Sequence, residues 1–253
     1  MFMLQSLGWA ALGTGFTFLM TALGAAMVFF LSEEPKPRIQ KAVLGFAAGV
    51  MTAASVWSLL IPAIEQTEAE AGSHGWVPAA VGMLAGVLFL ALLDSLIPQF
   101  RKKTDPTHRQ SALLMTAITL HNIPEGMAVG LAFALAASGE AFAAAAALAL
   151  GIGIQNFPEG AAIALPLRQE GRPRGRAFLG GMLSGSVEPV FGILVVLIAA
   201  SAQPVMPWLL SFAAGAMLYV VVEELIPQAH SRAGTCGFVV GFLMMMVLDV
   251  ALG

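Results

Sequence analysis

The sequence predicts an all-α integral membrane protein with eight transmembrane helices, arranged as three, two and three. Three observations predict it. The 253 residues are 58% hydrophobic and only 11% charged, whereas a soluble domain carries about 25% charged residues. Eight apolar stretches reach the roughly 20 residues that a helix needs to cross the hydrocarbon core. All 12 Lys and Arg residues fall in alternate connections between those stretches.

The spans are expected at residues 7–31, 40–63, 76–99, 111–137, 139–166, 176–201, 205–228 and 234–252. Residues 111–166 are almost continuously apolar and too long for one helix. Ser138-Gly139-Glu140 supplies the only turn signal between the fourth and fifth spans. The first connection holds Lys36, Arg38 and Lys41, and the third holds Arg101, Lys102, Lys103 and Arg109. The fifth holds Arg168, Arg172, Arg174 and Arg176, and the seventh holds Arg232. Basic loops stay in the cytoplasm, so both termini are expected outside it. The N-terminus has neither a basic segment nor a small-residue cleavage site, so no cleaved signal peptide is expected. The single cysteine, Cys236, rules out an intrachain disulfide and a Cys-rich zinc site.

The opposite face is acidic, with Glu65, Glu68, Glu70 and His74 in the second connection and Glu140 in the fourth. A solvated loop would have this composition. So would an anionic entrance, centred on Glu65, that concentrates cations.

Three pairs of segments resemble each other. Phe46-Ala-Ala-Gly-Val-Met51 followed by Leu60-Ile61-Pro62 matches Phe212-Ala-Ala-Gly-Ala-Met217 followed by Leu225-Ile226-Pro227. Gly86 and Asp94 in the third span match Gly241 and Asp249 in the eighth. An offset of five helices reverses the direction of crossing. Spans 1–3 and 6–8 are therefore expected to be inverted repeats around spans 4 and 5, a plan used by transporters with a midplane site.

The third pair lies in the central spans. It is His121-Asn122-Ile123-Pro124-Glu125-Gly126 and Gln155-Asn156-Phe157-Pro158-Glu159-Gly160. His121 and Glu125 are one helical turn apart on one face, and Asn122 flanks the same stripe. Gln155, Asn156 and Glu159 repeat that placement. Glu188, followed by Pro189, adds a further acid in the sixth span. Ionisable groups at membrane depth are costly and mark ion or substrate sites. Each proline leaves a backbone carbonyl without its helical donor, and each glycine lets a neighbouring helix come close.

One imidazole with several carboxylates and amide oxygens suits divalent transition metals: Zn²⁺, with Cd²⁺, Fe²⁺, Mn²⁺ and Co²⁺ close behind. Protons are expected to leave as a metal enters. A zinc hydrolase would need His-Glu-x-x-His, which this sequence lacks, so no enzyme is expected. A proton- or cation-coupled carrier of another solute is the alternative. No resident cofactor and no nucleic-acid partner are expected; the partners are the metal ion and the bilayer. The small residues from Ala141 to Ala147 fit either a homodimer contact or packing within one chain.

The paired motifs resemble the ZIP (Zrt-, Irt-like protein) family of divalent metal transporters, and its GufA-like bacterial branch most. The resemblance covers nearly the whole chain. It implies metal movement into the cytoplasm across a bacterial inner membrane, through a binuclear midplane centre. It implies His121, Glu125, Gln155 and Glu159, with Met51, as the first metal site. Asn122, Asn156 and Glu188, sharing Glu125 and Glu159, form the implied second site. Asp94, Glu223 and Glu224 resemble the family's exit-side metal positions. Many members have His in place of Gln155 and some have Asp in place of Asn156, so this chain has weaker or less charged donors there. The long His-rich cytoplasmic loop is missing, and only His108 stands in the third connection.

Overall fold

The computed structural model describes residues 2–30, 37–71, 76–101, 109–137, 142–201 and 203–252. Among these residues there are helices and short connections, and no strand. Helix α1 is Phe2–Ala26, extended by a 3₁₀ turn at Met27–Phe29. Helix α2 is Pro37–Ala54 and passes through a π turn, Ser55–Leu60, into α3, Ile61–Ala71. Then come α4 (Trp76–Arg101), α5 (Arg109–Ala137) and α6 (Phe142–Gln169). Helices α7 (Arg174–Gly185) and α8 (Val187–Ser201) together form the sixth span. Helix α9 (Met206–Val220) passes through a second π turn, Val221–Leu225, into the short α10 (Ile226–Ala229). Helix α11 is Arg232–Leu252.

Seven helical stretches among the described residues are long and apolar enough to cross a membrane. Helix α5, with 29 residues, occupies the place of the expected fourth span and is about 43 Å long at 1.5 Å per residue. Apolar side chains face outward along α4 (Val81, Leu84, Leu88, Leu92) and α11 (Val240, Leu243, Val247, Val250). That spacing gives each helix a lipid-facing stripe. The chain is a multi-pass membrane protein.

Prolines explain the irregular turns. Pro62 and Pro227 have no N–H, and their rings would strike the carbonyls of Ser58 and Glu223 four residues earlier. In each case the turn widens just before the proline. Ile61 N–H bonds to Val56 O and Ile226 N–H to Val221 O, each spanning five residues. Pro189 acts likewise on Gly185, and the sixth span breaks at Ser186, whose N–H turns to Leu183 O at 3.1 Å. The turn from α6 to α7 uses Gly171, at φ 87°. Gly171 N–H bonds to Arg168 O and Arg172 N–H to Leu167 O, a Schellman closure that needs the left-handed conformation glycine provides.

The second span differs from its expected limit. It continues beyond residue 63 to Ala71, so Glu65 and Glu68 stand on helix α3 and not in a loop. No glycine or proline follows Pro62 until Gly72, and Thr67 Oγ1 donates to Ala63 O at 2.8 Å along the same helix. The side chain of Glu70, the residues His74, His108 and Glu140, and the Ser138-Gly139-Glu140 turn lie outside the described residues. In the alanine stripe Ala145 and Ala147 are buried within the chain, Ala144 and Ala146 are half-buried and Ala143 is exposed.

The helices fall into two groups. Helix α1 packs chiefly on α6, and α5 on α8, with α7 between α1 and α6. In the second group α2 packs on α11, and α4 on α9. Contacts of α5 with α9 and of α6 with α11 join the groups and are sparser. Within the second group glycines set the distance. A Cβ on Gly86 would strike the Phe212 carbonyl and one on Gly241 the Phe46 carbonyl. A Cβ on Gly49 would strike the Phe238 carbonyl and one on Gly215 the Met83 carbonyl.

Candidate metal site

The site is built where α5 and α6 carry their matched motifs side by side. Pro124 and Pro158 lie inside continuous helices. The glycine of each motif then docks its helix on a different neighbour. A Cβ on Gly126 would collide with the Glu188 backbone of α8, and one on Gly160 with the Thr21 carbonyl of α1. These two contacts bring Glu188 and the threonines of α1 to the motif carboxylates.

Asn122, Glu125, Gln155, Asn156 and Glu188 are each 0% exposed, and Glu159 is buried as well. Glu125 lies within electrostatic range of both Glu159 and Glu188. The amides are tied by their nitrogen ends. Gln155 Nε2 donates to Glu125 Oε1, and Asn122 Nδ2 donates to Ser184 O at 2.9 Å. Asn156 Nδ2 donates to Glu188 Oε2 at 2.9 Å and to Thr17 O at 3.4 Å. Thr21 Oγ1 donates to Glu188 Oε1 at 3.3 Å.

The oxygen ends are left over. Asn122 Oδ1, Glu125 Oε2, Gln155 Oε1 and Asn156 Oδ1 are buried and accept no hydrogen bond. A buried polar atom without a partner costs about 1–3 kcal/mol. All four are acceptors, so only a proton donor or a cation can satisfy them. The Lys and Arg residues of the described helices stand in or next to their terminal turns, such as Arg109 at the start of α5 and Arg168 at the end of α6. Among the described residues no three of His, Cys, Asp and Glu converge at metal-ligand spacing. The buried groups brought together among the described residues are carboxylates and amides. The side chain of His121 lies outside the described residues; its backbone places it one turn before Glu125 on α5.

Residues 7–113 and 109–249 match the family model of the ZIP zinc transporters. The zinc transporter GufA of Myxococcus xanthus is 39% identical, over 92% of this chain and 94% of its own length. The zinc transporter ZIPB of Bordetella bronchiseptica is 39% identical, over 97% of this chain and 82% of its own length. The human zinc transporter ZIP11 is 37% identical, over 96% of this chain and 97% of its own length. This chain belongs to the ZIP family. It resembles the GufA-like branch, and the relatives are named as transporters, not enzymes.

The other expected positions divide in this ZIP chain. Met51 is fully buried, in the same apolar core as Val129, Leu131, Leu148 and Ile152, which flank the motifs on α5 and α6. Asp94, Glu223 and Glu224 gather around one residue that the sequence did not single out. Tyr219 is within electrostatic range of all three and donates to Asp94 Oδ2 at 3.4 Å. As the only tyrosine of the chain, one turn before Glu223, it had a signal. Glu223 is exposed and Glu224 half-buried, so the neighbours do point apart. Glu65 is exposed on α3, away from the motifs. Thr17, Thr21 and Ser184 were missed as supports. Thr14, Thr17 and Thr21 form a stripe at spacings of three and four on α1, which could have identified that face.

Proposed function

We propose that this protein carries divalent transition-metal cations, zinc first, across the membrane into the cytoplasm. The path runs through the buried site between α5 and α6. One observation carries the reading: four buried acceptor oxygens, Asn122 Oδ1, Glu125 Oε2, Gln155 Oε1 and Asn156 Oδ1, meet no hydrogen-bond donor among the described residues. A partly dehydrated cation meets that need, and its departure restores it, as a transport site requires. Mixed nitrogen and oxygen ligation suits Zn²⁺ and extends to Cd²⁺, Fe²⁺, Mn²⁺ and Co²⁺. His121, Glu125, Gln155 and Glu159 are the primary ligands, with the Met51 thioether above them. Glu65 stands at the entrance, and Asp94, Glu223 and Glu224 receive the ion on the cytoplasmic side.

The architecture is read as three, two and three spans with inverted outer repeats. The mirrored glycine contacts support it: Gly86 meets Phe212 as Gly241 meets Phe46, and Gly49 meets Phe238 as Gly215 meets Met83. The π turns at Ser55–Leu60 and Val221–Leu225 are a further matched pair. The four basic connections support termini on the extracytoplasmic side of a bacterial inner membrane. Relatives named zinc transporters support the cargo.

Purified protein in liposomes is expected to take up Zn²⁺ and Cd²⁺ down a gradient. Glu125→Ala is expected to lower the rate at least about 100-fold, because it removes a carboxylate and the acceptor that orients Gln155. Uptake by the variant at the unsubstituted rate overturns the site. A solute carrier of another class would show no rise in melting temperature on adding Zn²⁺ or Cd²⁺.

A further inference from the structure

Asn156 and Glu188 are where the family resemblance implies a second metal, and the structure joins them directly. Asn156 Nδ2 donates to Glu188 Oε2 at 2.9 Å and to the Thr17 carbonyl at 3.4 Å. With two acceptors on the same side, the amide can only present its NH₂ there. Thr21 Oγ1 lies 3.3 Å from the other carboxylate oxygen and shares its proton with Thr17 O of its own helix, also at 3.3 Å. Both oxygens of Glu188 are thus engaged, and Glu188 contributes no atom to the set of buried oxygens without a partner.

A cation seated between Asn156 and Glu188 would meet an NH₂ that has no lone pair to give. An aspartate at position 156 would offer a second carboxylate there, which a cation would have to neutralise. The asparagine instead supplies two N–H donors and no charge. The hydrogen bonds do for Glu188 what a metal does elsewhere. The same pattern holds across the site: Asn122, Gln155 and Asn156 each spend their NH₂ on a neighbour and keep the carbonyl oxygen unpaired.

We propose that the Glu188 compartment is a hydrogen-bonded clamp and not a second metal site, so that the buried site between α5 and α6 holds one tightly bound divalent cation, beside Glu125. Glu188 is a positioning residue. It fixes the Asn156 amide so that Oδ1 turns away from the clamp, and the Gly126–Glu188 backbone contact fixes Glu188 in turn. The donor set present does not fit a second cation, whatever the number bound by relatives. The inference presupposes the transport-site reading only in that a cation must bind beside Glu125.

The test is the number of Cd²⁺ ions tightly bound per full-length chain in detergent, by equilibrium dialysis and elemental analysis. One ion is expected for the unsubstituted protein and for Glu188→Gln, and two for Asn156→Asp. Two ions in the unsubstituted protein, falling to one in Glu188→Gln, overturn the clamp and leave the transport site standing. A count of one in folded Asn156→Asp also overturns it, because the amide would then not be what excludes the second ion. No bound Cd²⁺ at all overturns the transport-site reading and the count together. Affinity tests the positioning role independently of Asn156→Asp. Glu188→Ala is expected to weaken Cd²⁺ binding about tenfold, and Glu188→Gln, which keeps an acceptor for the Asn156 N–H, to restore most of it. Equal affinity in Glu188→Ala and the unsubstituted protein overturns that role.

Discussion

The group formed by α1, α5, α6, α7 and α8 and the group formed by α2, α3, α4, α9, α10 and α11 both bring helix backbones together at glycines, but they use the closeness differently. In the second group the buried hydroxyls are satisfied by their own helices: Ser55 by Met51 O, Thr67 by Ala63 O and Ser211 by Pro207 O. What joins these helices is backbone against backbone. In the first group Thr14, Thr17 and Ser184 also bond back to their own helices, but the buried amides and Thr21 reach across. Asn122 binds Ser184, Gln155 binds Glu125, and Asn156 and Thr21 bind Glu188. Side chains also cross in the second group, where Ser58 Oγ on the π turn donates to Asp249 Oδ1 of α11 at 2.7 Å and Tyr219 of α9 to Asp94 Oδ2 of α4 at 3.4 Å. The difference teaches that one group is a frame held by shape and the other a frame for a charge. Loss of a contact in the first should appear in metal handling, and loss in the second should appear in folding.

The largest expected effect that would break this contrast is Gly86→Leu. Its side chain would have to occupy the space of the Phe212 carbonyl, and backbone cannot step aside as a side-chain tip can. We predict loss of folded, monodisperse protein in detergent, at the upper end of overpacking costs, about 3 kcal/mol or more. Glu125→Ala, in contrast, should run as a monodisperse species and fail only in uptake. If Gly86→Leu folds and transports, the second group is not held by backbone proximity. If Glu125→Ala unfolds, the polar site is part of what holds the first group.

The two groups also differ in how far the sequence reveals them. The frame was legible in outline, because apolar length, the basic loops and the repeated Phe-Ala-Ala-Gly pattern are local signals. Its π turns were not, although Pro62 and Pro227 were in plain view. A proline states that a helix must yield but not whether it will kink, break as at Ser186, or widen. The candidate metal residues were legible because acids and amides are rare at membrane depth. Their supports were not. Thr17 and Thr21 meet Asn156 and Glu188 across more than 130 residues of sequence, and a threonine on an apolar helix is ordinary until its partner is seen. The hydrogen bonds of Glu188 were hidden for the same reason, since only the structure shows which neighbours its oxygens meet.

A smaller effect sharpens the contrast inside the first group. Thr21→Val keeps the shape of the side chain and removes one donor from Glu188. The loss of a hydrogen-bond partner by a buried group amounts to about 1–3 kcal/mol. The melting temperature should fall by a few degrees, and the affinity for Cd²⁺ should fall several-fold because the clamp around Asn156 loosens. A change in melting temperature without a change in affinity would mean that Glu188 and the metal are independent.

The smallest expected effect is the control on that result. Ser211→Ala also deletes a buried hydroxyl on a membrane helix, and in the native protein that hydroxyl donates at 2.8 Å, as good a bond by geometry as any in the site. Its acceptor, Pro207 O, belongs to the same helix, so the bond joins no two elements. A hydroxyl bonded back to its own helix contributes little and can even bend it. The alanine fits because Ser211 Cβ already packs against the position where a Gly82 Cβ would stand. Stability should change by less than about 0.5 kcal/mol, and Zn²⁺ uptake should be unchanged. Thr21→Val and Ser211→Ala thus both remove a buried hydroxyl; each has an acceptor on its own helix, Thr17 O and Pro207 O, and only Thr21 has a further acceptor on another helix, Glu188 Oε1. Equal losses in the two variants would show that burial of the hydroxyl, and not its partner, sets the cost, and the distinction between the two groups would fail.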